Sequence, residues 1–377
     1  MSIALVLSGG GARAAYQVGV LNAVSELLGT PDANPFPIIC GTSAGAINAS
    51  LLACESDHFG DAVHLLDSLW RGLDSEDVHE LGVYAVLESV FTLLVSFLRG
   101  GYQKDEPWSL LENDPLRDLL GRVVRFERLA ERINQGDLEA LTITALGYSS
   151  GASLSFYEAS PDHRPWRRHR RIGVPTALGL DHLMASAAIP GIYPAVKIHR
   201  EYFGDGAIRQ SAPLSPALHL GARKLFVVGV SHNPDESVDA RFRAEHTPSV
   251  AQMTSQFFNR SFIDALEDDM ERLLRINRIV NKLNDAERAE LNLYKVDVMS
   301  ISPSRPFDEI AAAHIDALPR SMRLLFRTLG ATRSGGGASL ASYLLFEAPF
   351  ISELIDCGYV DAMMQGDEIR TFLAAES

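Results

Sequence analysis

The sequence predicts an α/β fold: a largely parallel sheet with helices packed on it, followed by a helical C-terminal region. Two strand–turn–helix units follow each other directly between Ile3 and Cys54, the pattern that parallel strands with helical crossovers produce. Short apolar runs then return at Leu141–Leu146, Leu154–Ala159 and Leu225–Val230, after long helical stretches. Residues 309–375 keep a helical pattern and carry few strand signals.

Taken in order, Ile3–Leu7 is a continuous apolar run of strand length. Ser8-Gly9-Gly10-Gly11 turns the chain, and Ala12 to Leu28 is helical, stopping near Gly29 and Pro31. Pro37-Ile38-Ile39-Cys40 is the next strand, Gly41-Thr42-Ser43-Ala44-Gly45 a tight turn, and Ala46 to Cys54 a helix. Residues 60–134 read as mostly helical. After the two apolar strands, His182 to Ala188 is a helix that stops before Pro190. Val196 to Phe203 alternates as one strand and leads into Gly204-Asp205-Gly206-Ala207. Residues 249–290 form one or two long charged helices, and Leu293 to Ile301 a last strand. Ser302-Pro303-Ser304-Arg305-Pro306 is the natural boundary, dividing the chain into a main domain, 1–305, and a helical C-terminal region, 306–377.

Composition narrows the function classes. With 46% hydrophobic residues the chain buries a substantial core, which excludes global disorder. Lys and Arg number 34 against 48 Asp and Glu, and a net charge of −14 argues against a dedicated nucleic-acid binder. Cys40, Cys54 and Cys357 are widely spaced with no CxxC pair, so the expectation is buried thiols in a reducing compartment, with no zinc site and no disulfide framework. Met1-Ser2 runs straight into the first strand without a basic stretch, so no targeting signal is expected.

Three elements carry chemistry. Gly41-Thr42-Ser43-Ala44-Gly45 is a G-x-S-x-G between a strand and a helix; the flanking glycines allow the strained turn that presents a serine hydroxyl at a helix N-terminus. Gly9-Gly10-Gly11-Ala12-Arg13 exposes backbone amides after the first strand, suited to an oxyanion or a phosphate. The same loop satisfies a GxGxxA dinucleotide pattern through Gly9, Gly11 and Ala14, but the second strand ends in Cys40-Gly41-Thr42-Ser43 instead of the acidic residue that a ribose requires. Asp205, in Gly204-Asp205-Gly206-Ala207, is a carboxylate at a strand end, and a serine hydroxyl needs such a base to become nucleophilic.

Together these elements resemble the patatin-like phospholipase family, of a bacterial type. The likeness rests on Gly9-Gly10-Gly11-Ala12-Arg13, Gly41-Thr42-Ser43-Ala44-Gly45 and Asp205-Gly206-Ala207 in the family's order. A small-residue block, Ala185-Ser186-Ala187-Ala188-Ile189-Pro190 with Pro194 following, adds to it, and the similarity covers roughly residues 3–230. The resemblance implies a serine lipid acyl hydrolase on a three-layer α/β/α fold, of phospholipase A or lysophospholipase type. It implies Ser43 as nucleophile, Asp205 as base, and the amides of Gly9, Gly10 and Gly11 as an oxyanion hole. Gly41, Gly45, Gly206 and Arg13 support the site, Arg13 by bracing the glycine loop. No metal or cofactor is implied. The partner is a phospholipid or other acyl lipid, met by a cytoplasmic protein that touches a membrane surface transiently.

Two alternatives stand beside this reading. One is a non-catalytic lipid-binding or regulatory protein on the same fold, and the other a Ser-His-Asp esterase, for which His219, His232, His246 and His314 follow Asp205 in the chain. Three further segments bear on lipid contact. Leu81–Leu98 is amphipathic with one charge, Glu88, and suits a core helix, a lid or an interfacial helix. His163–Arg171 holds Arg164, Arg167, Arg168, Arg170 and Arg171, and suits a solvated loop or a patch for anionic headgroups with Trp166 at the interface. Met322–Leu329 is a second basic amphipathic stretch, and Gly335-Gly336-Gly337 a flexible loop.

Overall fold

The computed structural model describes residues 2–29, 32–79, 107–232, 250–323 and 337–374. The Leu81–Leu98 segment, most of Met322–Leu329 and Gly335-Gly336 lie outside these residues. Ile3–Leu7 forms β1, and the chain passes through a single 3-10 turn, Gly11–Ala14, into α1, Ala15–Leu27. β2 (Ile38–Thr42) and α2 (Ala44–Cys54) repeat the unit. The remaining strands are β3 (Ala140–Gly147), β4 (Ser153–Ala159), β5 (Trp166–Arg168), β6 (Arg171–Pro175), β7 (Val196–Ile198), β8 (Glu201–Asp205), β9 (Lys224–Val228) and β10 (Asp297–Ile301).

One sheet runs β10-β9-β1-β2-β3-β4-β6-β5, with β8 pairing to β3 and β7 to β8. The five strands from β10 to β3 are parallel, and antiparallel pairs join β4 and β8 to β3. Alternate residues of the parallel strands feed opposite faces, as pleating requires. Leu5, Leu7, Ile39, Phe226 and Val228 face a core shared with α1, α2 and the helix Ala348–Met364. Ala4, Val6, Ile38, Cys40, Leu225 and Val227 face a second core closed by Leu214, Ala217, Leu266 and Leu273. The result is three layers, α/β/α. The chain leaves β1 toward β2, and leaves β9, on β1's other side, toward β10, so the loops after β1 and β9 diverge at a switch point, where open α/β sheets bind ligands.

Two local expectations are corrected. Val196–Phe203 is not one strand: His199, at φ 55, turns the chain into the hairpin β7–β8. His163–Arg171 is not loop throughout: it carries β5 and the turn into β6 of an edge hairpin, with Arg167 and Arg168 exposed, while Trp166 is not at an interface but 7% exposed and stacked between Tyr157 and His219. Gly173, opposite Trp166 in the pairing, makes the space: a Cβ there would lie 2.3 Å from the indole.

The C-terminal helices share the first core through Phe307, Ile310, Tyr343, Phe350 and Leu354. No single helix among the described residues is long and apolar enough to cross a membrane; the bent pair Ala338–Leu344 and Ala348–Met364 passes by composition only. The helix Ala348–Met364 crosses α1 at backbone contact. A Cβ on Gly358 would lie 2.1 Å from the Tyr16 carbonyl oxygen, and one on Gly19 1.8 Å from that of Ile355. Gly358→Ala therefore has to push the helices apart, an overpacking cost of roughly 1–3 kcal/mol or more. A denaturant titration should show a clearly lowered midpoint, and an unchanged midpoint would mean that the helices do not meet at this glycine.

Candidate active site

Ser43 stands at the joint of β2 and α2 with φ 55 and ψ −131. A non-glycine residue in this region carries strain of order 1–3 kcal/mol. The glycines around it let the joint close: a Cβ on Gly41 would lie 2.5 Å from Ala46 Cα, and one on Gly45 2.4 Å from the carbonyl oxygens of Leu7 and Ser8. The Ser43 amide donates to Ser186 Oγ at 2.8 Å, and that hydroxyl donates to the Thr144 carbonyl at 2.6 Å. Ser186 comes from the small-residue block on the helix Leu180–Ala187, so this block anchors the turn.

Asp205 ends β8, paired to Ala145 of β3, and is fully buried. Gly206 is required there because a Cβ would lie 2.0 Å from the Thr144 carbonyl oxygen. The Ser43 hydroxyl donates to Asp205 Oδ2 at 2.5 Å, and the Ala207 amide donates to Oδ1 at 2.9 Å. Burial pushes the Asp205 carboxyl up to about 7, outweighing these two bonds, which favour its charged form. Beneath the pair, Thr42 donates to Gln210 Oε1 at 2.8 Å and Gln210 Nε2 donates to Thr144 Oγ1 at 3.3 Å. Neither Ser186 nor Gln210 is visible as a site residue from the sequence.

The glycine loop lies against the serine. A Cβ on Gly9 would lie 3.0 Å from Ser43 Cβ and 2.8 Å from the ring of Phe262. Gly11 has φ 56, and a Cβ on it would lie 2.1 Å from the Tyr343 carbonyl oxygen. Among the described residues the buried amides of Gly9 and Gly10 donate to no backbone carbonyl, so they remain available as donors next to Ser43. Arg13 is buried: Nε donates to Ser342 Oγ at 2.8 Å, and the guanidinium lies 4.0 Å from the Tyr343 ring centroid.

An apolar cavity opens on Ser43 and Gly11, walled by Ile47, Trp70, Leu120, Tyr193, Leu344 and Phe346. Its free volume is about 40 Å³, room for a few water-sized groups, so a larger ligand enters by displacing side chains. Behind Tyr193, buried His79 accepts or donates at Nδ1 across 3.2 Å to the tyrosine hydroxyl. Burial pushes His79 down to about 4, which keeps that wall uncharged at neutral pH.

The histidines weighed for a triad lie elsewhere. His219 is bonded to Ser215 and stacked on Trp166, His232 faces the Pro303 carbonyl and His314 pairs with Glu353, while His246 is outside the described residues. Cys40, Cys54 and Cys357 are buried and unpaired, with thiols pushed up by burial. Among the described residues no group of three or more His, Cys, Asp or Glu is placed to hold a metal.

The family profile described as patatin-like phospholipase matches residues 5–218. A cGAMP-activated phospholipase of Pseudomonas aeruginosa is 29% identical over 218 residues, which are 57% of this chain and 55% of the relative, so the match spans about half of that relative's length. The uncharacterized protein YjjU of Escherichia coli is 26% identical over 339 residues, 85% of this chain and 74% of its own. The crystal structure of VipD from Legionella pneumophila superposes with a TM-score of 0.40 at 14% identity, covering 97% of this chain and 67% of VipD.

The carboxyl of Asp205 ionises near 3.8 when exposed and near 7 in the fold, so between these values the native state holds its proton more tightly than the unfolded chain. Folding stability contributed by this group is present below about pH 4 and is lost as pH rises toward 7, by a few kcal/mol in order of magnitude. Asp205→Asn removes the penalty. Its melting temperature should match that of wild type at pH 4 and exceed it at pH 8; an offset independent of pH would show that the carboxyl is not perturbed.

Proposed function

The chain belongs to the patatin-like phospholipase family, and on that premise we propose that it is a serine lipid acyl hydrolase working through Ser43 and Asp205. The observation that carries the proposal is the 2.5 Å hydrogen bond from a strained, helix-capping serine to a buried carboxylate, opening on an apolar cavity. The acyl chain of a lipid enters that cavity and brings its ester carbonyl to Ser43. Ser43 Oγ attacks the carbonyl carbon as its proton moves to Asp205 Oδ2. The Gly9 and Gly10 amides stabilise the tetrahedral oxyanion, with Gly11 completing the loop. Collapse expels the alcohol part of the lipid, which takes the proton back from Asp205 and leaves an acyl-Ser43 ester. Water then attacks this ester as its proton moves to Asp205, the ester C–O bond breaks with that proton passing from Asp205 to Ser43 Oγ, and a free fatty acid departs.

The base has to be a carboxylate to accept a proton, and a carboxyl near 7 is more basic than an ordinary aspartate. The neutral surroundings of the cavity leave that tuning to burial, without a histidine. Contact with the membrane surface is transient in this reading, since the substrate is drawn from it.

Two measurements test the reading. A fluorophosphonate probe should label Ser43 and release of fatty acid from a phospholipid panel should vanish in Ser43→Ala; labelling retained in that variant, or found at another serine, overturns the assignment. The pH profile of kcat/KM should rise about tenfold per pH unit below 7 and level off above it. A profile flat from pH 5 to 9 would remove Asp205 from the role of base.

A further inference from the structure

A second recess, of about 340 Å³, is lined by His169, Arg170, Ala207, Arg209, Gln210 and Arg260 among others. It shares no lining residue with the apolar cavity, and each is lined by a residue bonded to Asp205. Ser43 lines the cavity, while Ala207, whose amide holds Asp205, lines the recess. The recess is built from three separate parts of the fold. Arg170 sits at the turn of the β5–β6 hairpin in a left-handed conformation, φ 54, with its carbonyl tied to the Ser153 amide at 2.8 Å. This turn comes to the same sheet end as Asp205, because β6 pairs with the start of β4, and β4 with the end of β3. Arg209 directly follows the 3-10 turn Gly206–Ile208, which starts at Asp205. Arg260 opens the π-turn that carries Phe262 over Gly9.

The charge of this recess runs against that of the whole chain, which carries −14. Arg260 is balanced by Asp268 at 3.1 Å and Asp264 at 3.6 Å. Arg170 and Arg209 are exposed, and no carboxylate among the described residues pairs with either. Two guanidinium groups with no carboxylate partner among the described residues are suited to a bidentate phosphate. We propose that the recess binds the headgroup phosphate of a glycerophospholipid whose acyl chain occupies the apolar cavity. The proposal rests on the hydrolase reading for its choice of ligand: each recess is lined by a residue bonded to Asp205, and the scissile ester of such a lipid lies between its chain and its headgroup.

The test measures binding in Ser43→Ala protein, where turnover does not interfere. The probes are dihexanoyl-phosphatidylglycerol below its micelle concentration and dihexanoylglycerol, which has the same chains and no phosphate. Adding R170Q and R209Q should weaken the phospholipid at least tenfold relative to the diacylglycerol, and R170K with R209K should restore most of the difference. An unchanged ratio, with melting temperatures showing both proteins folded, overturns the proposal. Displacement of the lipid by micromolar inorganic phosphate would make the recess a free-phosphate site and overturn it too. Arginine-dependent binding in a protein whose wild type releases no fatty acid would instead overturn the hydrolase reading and leave the phosphate site standing.

Discussion

Everything at this site depends on one buried contact, the hydrogen bond between Ser43 and Asp205. A carboxylate with no exposure is costly unless bonded, and two donors are a modest compensation. The fold tolerates the cost because both residues are fixed by backbone that is needed for other reasons. Ser43 is set by the β2–α2 joint, and Asp205 by the register of β8 on β3, with Gly206 pressed on the Thr144 carbonyl. The residual penalty is what raises the carboxyl toward 7, so instability and basicity are one property seen in two measurements.

Thr144 is the hub of that arrangement. Its carbonyl accepts from Ser186, which holds the Ser43 amide, and its hydroxyl takes part in the Gln210 bridge to Thr42 and in a contact with Ser155 at 3.2 Å. One residue in the middle of the sheet thus sets the height of both the serine turn and the aspartate loop. Networks of this kind hold a reacting pair within a few tenths of an ångström, which no single contact does.

What was legible in the sequence follows from what is local. The turn glycines, the strained serine and the Asp-Gly pair are dictated by backbone conformation within five residues, and each leaves a motif. The parallel strands were legible because both of their faces are buried and they read as unbroken apolar runs. The edge hairpin was not, because a short edge strand with adjacent arginines carries a loop's composition, and the burial of Trp166 depends on a glycine seven residues later in the facing strand. Ser186 and Gln210 were illegible as site residues because a short polar side chain has no pattern of its own; their partners lie 143 and 168 residues away in the chain.

The glycine loop shows how far the site reaches beyond its motifs. The family match ends at residue 218, yet the loop is held between Phe262 on one side and Tyr343 on the other. Tyr343 in turn donates to Asn259 and packs edge-on to Phe258 and tilted against Phe262, so the two clamps are one aromatic cluster. Arg13, inside the motif, is committed to Ser342 and Tyr343, and Leu344 and Phe346 wall the apolar cavity. Motif residues supply the serine and the aspartate, and the C-terminal helices supply contacts to the glycine loop and part of the cavity wall. A protein with the same four motifs and a different C-terminal region would keep the serine, the aspartate and most of the cavity wall, and would change only the part that Tyr343, Leu344 and Phe346 supply here.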